Sequence, residues 1–149
     1  MKVRAGFIII SLFLLSCGTG QVENVSNLKP ITGTWQLISG TLIEEGDTTH
    51  TDYTKNVSFI KIINNTHFAF LQHDLNKGKD SAVFVAGGGS YSLKDSLYTE
   101  HLEYCSARDW EGNDFTFTIA IKKDTLIQRG TEKVESKGVN IEKYIKLKN

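Results

Sequence analysis

The stretch Phe115-Thr-Phe-Thr-Ile-Ala-Ile121 alternates between large apolar side chains and small or hydroxyl-bearing ones. Successive side chains of a β-strand point to opposite faces, so this period of two predicts a strand with one apolar face. The rest of the chain has further strand-like segments and lacks a convincing apolar period of 3.6 residues. Eight short strands in series favour an all-β, eight-stranded antiparallel up-and-down barrel, with a β-sandwich as the alternative. The predicted strands are 33–43, 55–63, 66–73, 81–93, 96–105, 115–121, 125–131 and 139–147.

Composition limits the classes of protein to which this chain can belong. The chain has 149 residues, with 17 Lys and Arg against 17 Asp and Glu, so its formal net charge is zero. This length favours one domain with a substantial core. A neutral balance argues against a nucleic-acid partner, which would call for a basic surface. Eight Phe, five Tyr and two Trp also argue against a disordered chain.

The N-terminal segment is predicted to be separate from the fold. Residues 1–16 combine a basic start with a short apolar run, which is typical of a signal peptide and too short for a permanent transmembrane helix. The run ends in Leu14-Leu15-Ser16-Cys17, which resembles a bacterial lipobox. Cys17 is therefore the predicted lipidation site, with residues 17–30 as a flexible tether and residues 31–149 as the barrel domain.

The leader also predicts a location. Multiple acyl chains on Cys17 would hold the protein on a membrane of the bacterial cell envelope. Glu23 is the only acidic residue shortly after Cys17, which favours the periplasmic face of the outer membrane over the cell surface. Removing residues 1–16 would leave 15 basic and 17 acidic residues, a net charge of −2.

Two motifs carry a resemblance to a known family. Gly33-Thr34-Trp35 at the start of the first strand is similar to the lipocalin signature, and the segment from Gly87-Gly88-Gly89 to Tyr104 resembles the small lipocalin-like lipoproteins of Bacteroidota. The resemblance covers residues 31–147 and implies a barrel in which Trp35 closes one end and Arg129, from a late strand, packs over it. The chain lacks the C-terminal helix and the disulfide of true lipocalins. This group has no settled activity, so the resemblance mainly implies a fold.

The segment 96–105 is the best candidate for a binding site. A regular strand would place Tyr98, Glu100, Leu102 and Tyr104 on one face. A carboxylate among aromatic side chains inside a barrel is costly to bury unless it is hydrogen-bonded. The group is therefore either the polar part of a ligand site or a structural network with Arg129 as the counter-charge. The candidate ligand-binding residues of the barrel interior are Trp35, Tyr91, Tyr98, Glu100, Tyr104 and Arg129.

Metal and catalytic sites have little support in the sequence. His101 and Glu103 share one predicted strand face, and His67 and His73 share another, but no metal-binding motif is present. Cys105 lies about 13 Å from His101 along a strand, too far for a nucleophilic pair. We therefore predict no metal, no cofactor and no catalytic residue.

Two other features allow more than one interpretation. Three consecutive glycines at 87–89 predict a bulge, a sharp barrel bend or an opposing bulky side chain, and not a phosphate-binding loop. Trp110, in a polar loop, would either serve as a lid or a partner contact, or fold back over the barrel end. Cys105 is expected to be buried in the barrel wall.

The function that these observations favour is binding of a small, largely apolar molecule inside a monomeric barrel. One alternative is a solid barrel that acts as an interaction module through loop 105–113. The other is an enzyme on a lipophilic substrate, with Glu100 or His101 as the acid/base.

Overall fold

The computed structural model describes residues 31–131 and 138–148 of the chain. The leader, the lipidation site and the tether predicted for residues 1–30 lie outside the described residues. The strands are β1 (Gly33–Glu44), β2 (Asp47–Asp52), β3 (Val57–Ile63), β4 (His67–Asp74), β5 (Phe84–Lys94), β6 (Leu97–Cys105), β7 (Asp114–Lys122), β8 (Thr125–Gly130) and β9 (Val139–Lys146). A single 3₁₀ turn, Arg108–Trp110, is the only helical element among the described residues.

The strands form one closed antiparallel barrel. Each strand from β3 to β8 pairs with the next one in the chain, and β9 pairs with β1 from Trp35–Lys146 to Ile43–Val139. On its other side β1 pairs with β3 near its beginning and with β2 near its end. Strands β2 and β3 therefore occupy one position in the wall, and the barrel has eight such positions. The predicted eight-stranded up-and-down barrel is confirmed, and the pairing of β1 with β9 rules out the sandwich.

The break between β2 and β3 is stabilised locally. The backbone N–H and the hydroxyl of Thr54 both donate to Asp52 Oδ1, at 2.9 and 2.6 Å. These two bonds are the main reason why the pKa of Asp52 is lowered to about 2. Strand β2 was not predicted, since Asp47-Thr-Thr-His-Thr-Asp52 is polar and wholly exposed and so lacks an apolar face.

A bulge between β5 and β6 corrects the predicted face of Tyr104. Gly89 pairs with Leu102, whereas Gly88 pairs with Tyr104, so that Glu103 is an extra residue in β6. The extra residue reverses the alternation beyond it. The Tyr104 side chain consequently lies outside the barrel with 69% of its surface exposed, and the prediction that it lies inside was wrong.

The barrel is closed at the end where β3–β4, β5–β6 and β7–β8 are joined. Trp35 is 1% exposed there, and its indole N–H donates to the Ile31 carbonyl at 2.7 Å. The buried apolar core comprises Ile31, Trp35, Leu37, Ile63, Phe68, Tyr98, Leu102, Phe117, Ile119, Leu126 and Tyr144. Within the described ranges no helix is long and apolar enough to span a membrane.

The residue that packs over Trp35 is a lysine and not the predicted Arg129. Lys146 Nζ lies 5.2 Å from the centroid of the Trp35 ring, and Lys146 is paired with Trp35 across β9 and β1. In β8 the inward positions belong to Leu126 and Gln128, so alternation directs Arg129 outward, where it is exposed. The prediction that Arg129 lies inside the barrel was therefore wrong.

This assignment has a direct test. We expect Lys146→Ala to lower the free energy of unfolding by about 1 kcal/mol, because the cation–π contact with Trp35 is lost. Arg129→Ala is the matched control and should change it by less than about 0.5 kcal/mol. Urea unfolding of the two variants measures both values. A larger effect of Arg129→Ala than of Lys146→Ala would contradict the assignment.

Candidate functional site: a cavity inside the barrel

A cavity of about 310 Å³ lies inside the barrel on the side of the links β4–β5 and β6–β7. We call this end the mouth. The volume is at the lower limit of ordinary small-ligand pockets and corresponds to about ten water molecules. The walls are largely apolar and aromatic, with Leu37, Tyr53, Phe59, Phe70, Val85, Leu102, Trp110, Phe115 and Phe117 among the lining residues.

The glycine run widens the interior at one wall. The rings of Phe59 and Phe70 are stacked, with centroids 5.8 Å apart and planes 9° from parallel. A Cβ atom at Gly87 would overlap the Phe70 ring, so the absence of a side chain there gives this ring its place against β5. Phe70 is thus a bulky side chain opposite Gly87, and the register shift between Gly88 and Gly89 is the predicted bulge.

The cavity also contains a buried ion pair. Lys61 Nζ donates to Glu100 Oε1 at 2.7 Å and to Gln128 Oε1 at 3.2 Å. The side chains of Lys61 and Glu100 are only 3% and 8% exposed. Of the two interpretations of Glu100, the structural network is therefore present, but with Lys61 as the counter-charge in place of Arg129.

Aromatic rings surround the buried ammonium group. Lys61 Nζ lies 5.4 to 6.0 Å from the centroids of four rings, those of Phe68, Tyr98, Phe117 and Tyr144. The negative faces of such rings stabilise a cation that has lost most of its hydration. Two kinds of contact therefore stabilise the Lys61 ammonium group, the hydrogen bonds to the oxygen atoms of Glu100 and Gln128 and the contacts with the aromatic rings.

A second polar group lies beside the ion pair on β9. The Tyr144 hydroxyl donates to Glu142 Oε2 at 2.6 Å, and Asn140 Nδ2 donates to Glu142 Oε1 at 3.4 Å. Burial, and then the charge of Glu142, raises the pKa of Tyr144 well above its ordinary value. The phenol consequently remains a neutral donor over the physiological pH range.

Of the six predicted site residues, Glu100 alone lines the cavity. Trp35 and Tyr98 belong to the buried core. Tyr91 packs against Tyr98 with ring centroids 5.3 Å apart, and its hydroxyl donates to the Asn64 carbonyl. These three lie inside the barrel towards its closed end, whereas Tyr104 and Arg129 lie outside, as described above.

Trp110 and Cys105 both lie at the mouth of the barrel. The Trp110 ring stacks on Phe115 with centroids 5.7 Å apart and lines the cavity, so it folds back over the barrel end. Cys105 is half-buried in the wall and also lines the cavity, as expected for its position. His101, in contrast, bonds to Asp114 at 2.7 Å on the outside of the barrel, away from the cavity.

Sequence reasoning missed Lys61, Gln128, Asn140 and Glu142 as lining residues. Lys61 had a usable signal, since it occupies the same strand face as Phe59 and Ile63. The inward face of β9 could not be identified from hydrophobicity, because its inward residues are polar, whereas Ile141 on its outer face is apolar. In the described part of the chain, no three His, Cys, Asp or Glu side chains are grouped to hold a metal ion.

Comparison with known proteins gives similarities to solved structures and none to families or curated proteins. No protein-family model matches the sequence, and no curated protein is significantly similar to it. A solved structure of a lipocalin-like protein from Bacteroides uniformis is 17% identical, with a TM-score of 0.49, covering 78% of this chain and 97% of the other.

Proposed function

We propose that this protein binds a small, largely apolar molecule in the cavity of its barrel. The observation that carries the proposal is a cavity of about 310 Å³ with aromatic and aliphatic walls and a few fixed polar groups. Ligand pockets commonly combine these two features, since the walls supply affinity and the polar groups select orientation. A solid barrel acting through its loops has less support, because Trp110 packs inward on Phe115.

We also propose that the protein works as a monomeric lipoprotein on the periplasmic face of the outer membrane. The support is the lipobox-like sequence ending in Cys17. Ile31, at the start of the described chain, lies at the closed end, where its carbonyl accepts from Trp35. A tether attached there would join the barrel at the end opposite the mouth, with a reach of up to about 40 Å.

Filling the cavity tests the proposal. Val85 is half-buried and lines the cavity, so Val85→Trp should occupy much of the space and lower the affinity for a neutral apolar probe at least tenfold. N-phenyl-1-naphthylamine fluorescence measures this, with the full-length chain carrying Cys17→Ser so that no acyl chain competes. The matched control is Ile127→Trp, at an exposed position on the outer wall.

The outcomes of this experiment are distinct. We expect the parent chain and Ile127→Trp to bind the probe with similar affinity and Val85→Trp to bind it poorly, with all three retaining their β-sheet circular dichroism. Equal binding by all three would place the probe outside the cavity and overturn the proposal. Absence of binding to the parent chain would also count against it.

A further inference from the structure

The hydrogen-bonding groups on the cavity wall indicate which polar group a ligand would carry. Lys61 is the one cation among the residues described as lining the cavity, and it already donates to Glu100 and Gln128. Glu100 and Glu142 contribute two carboxylates to the same wall. A ligand carboxylate would therefore meet like charges, and the only neighbouring cation in this wall is already paired.

The geometry of Gln128 leaves a donor available. A lysine ammonium can only donate, so the Gln128 oxygen must face Lys61 and its amide nitrogen must point elsewhere. Within the described residues this nitrogen donates to no protein atom, and it is not sealed off from the cavity.

Glu100 supplies the complementary acceptor. Its Oε1 accepts from Lys61, and burial together with the charge of Glu100 and a hydrogen bond to it raises the pKa of the neighbouring Tyr98 hydroxyl. A carboxylate has about four acceptor positions, so Glu100 retains positions for a ligand donor. The cavity thus offers one amide donor and one carboxylate acceptor on neighbouring side chains, bridged by a single ammonium group. A ligand hydroxyl or primary amide can donate to the carboxylate and accept from the amide at the same time.

From this pairing we propose that the ligand class is a neutral apolar molecule with a hydroxyl or amide head group, and that free carboxylates are rejected at neutral pH. This inference rests on the proposed function and specifies the chemistry of the same cavity. The head group lies at Glu100 and Gln128, and the apolar body extends along Phe59 and Phe70 towards Trp110. The cavity volume of about 310 Å³ is sufficient for an apolar body of ten carbon atoms.

A series of ligands with one chain length tests the inference. Decan-1-ol, decanamide, decanoate and decylamine are compared by displacement of N-phenyl-1-naphthylamine from the full-length Cys17→Ser chain at pH 7. We expect the alcohol and the amide to bind at least about tenfold more tightly than decanoate, because an ionised carboxylate beside Glu100 is both desolvated and repelled. Decanoate should bind more tightly at pH 5, where more of it is neutral.

Neutralising Glu100 provides a second test of the head-group preference. Glu100→Gln keeps an oxygen for Lys61 but removes the negative charge, so that the ammonium group becomes available to an anion. The preference should then shift towards decanoate by at least about tenfold relative to the parent chain. If this variant does not fold, the comparison of ligands on the parent chain is sufficient to test the inference.

The failure of this inference differs from failure of the proposed function. Tight binding of decanoate or of decylamine by the parent chain at pH 7 would overturn the head-group assignment while supporting a ligand-binding cavity. If the parent chain binds neither the fluorescent probe nor any decyl compound, the proposed function fails and the inference fails with it.

Discussion

Lys61→Met is expected to lower the free energy of unfolding by about 3 to 5 kcal/mol, the cost of leaving a buried carboxylate without its partner. The variant keeps the length and the apolar part of the side chain but removes both hydrogen bonds, to Glu100 and Gln128. It also removes the cation from among four aromatic rings. Guanidinium chloride unfolding followed by circular dichroism measures the loss.

The double variant Lys61→Met/Glu100→Leu separates the two causes of this loss. With both charges gone, no carboxylate is left uncompensated, so the double variant should regain most of the stability lost in the single one. If the double variant is as unstable as Lys61→Met, packing around Lys61 is responsible, and the buried charge of Glu100 contributes little.

Gly89→Ala should be the second severe change, lowering the free energy of unfolding by about 3 kcal/mol. A Cβ atom at this position would overlap the carbonyl oxygen of His101 and lie 2.8 Å from the backbone nitrogen of Glu103. Both are main-chain atoms of the neighbouring strand, so relief requires β5 and β6 to move apart at the bulge. Thermal or urea unfolding measures the effect.

Ser92→Ala serves as the control for Gly89→Ala. Ser92 lies on the same strand, is exposed, and pairs with Thr99 in a regular part of the β5–β6 ladder. Its replacement should change the free energy of unfolding by less than about 0.5 kcal/mol. Similar stability of Gly89→Ala and Ser92→Ala would mean that the bulge adapts easily, contrary to our expectation.

Alternation predicted the barrel wherever one face of a strand is uniformly apolar. Phe115–Ile121 lies within β7 as expected. Strand β2 escaped prediction because it pairs only with β1 and has no buried face. The register of β6 could not be predicted from the sequence either. The extra residue Glu103 places Tyr104 on the opposite face, and only the pairing with Gly88 and Gly89 shows this.

The candidate site could be predicted only in part. Glu100 was identified because a carboxylate on an aromatic strand face requires an explanation. Its partner Lys61 is 39 residues away in the chain, and its place on the strand face of Phe59 and Ile63 predicts burial but does not show that it meets Glu100. Which charged side chains meet inside the barrel depends on which strands face each other across the interior. That arrangement is determined by the closed barrel as a whole and not by any local segment.

The closure between β1 and β9 also has a kinetic consequence. Trp35 pairs with Lys146 where β1 and β9 meet. The wall of the barrel is therefore complete only after β9 has paired with β1. Contacts between residues so distant in sequence slow folding, because a long loop must be ordered before they form. A chain that lacks β9 would thus leave β1 and β8 with unpaired edges, and the barrel would close only once β9 is in place.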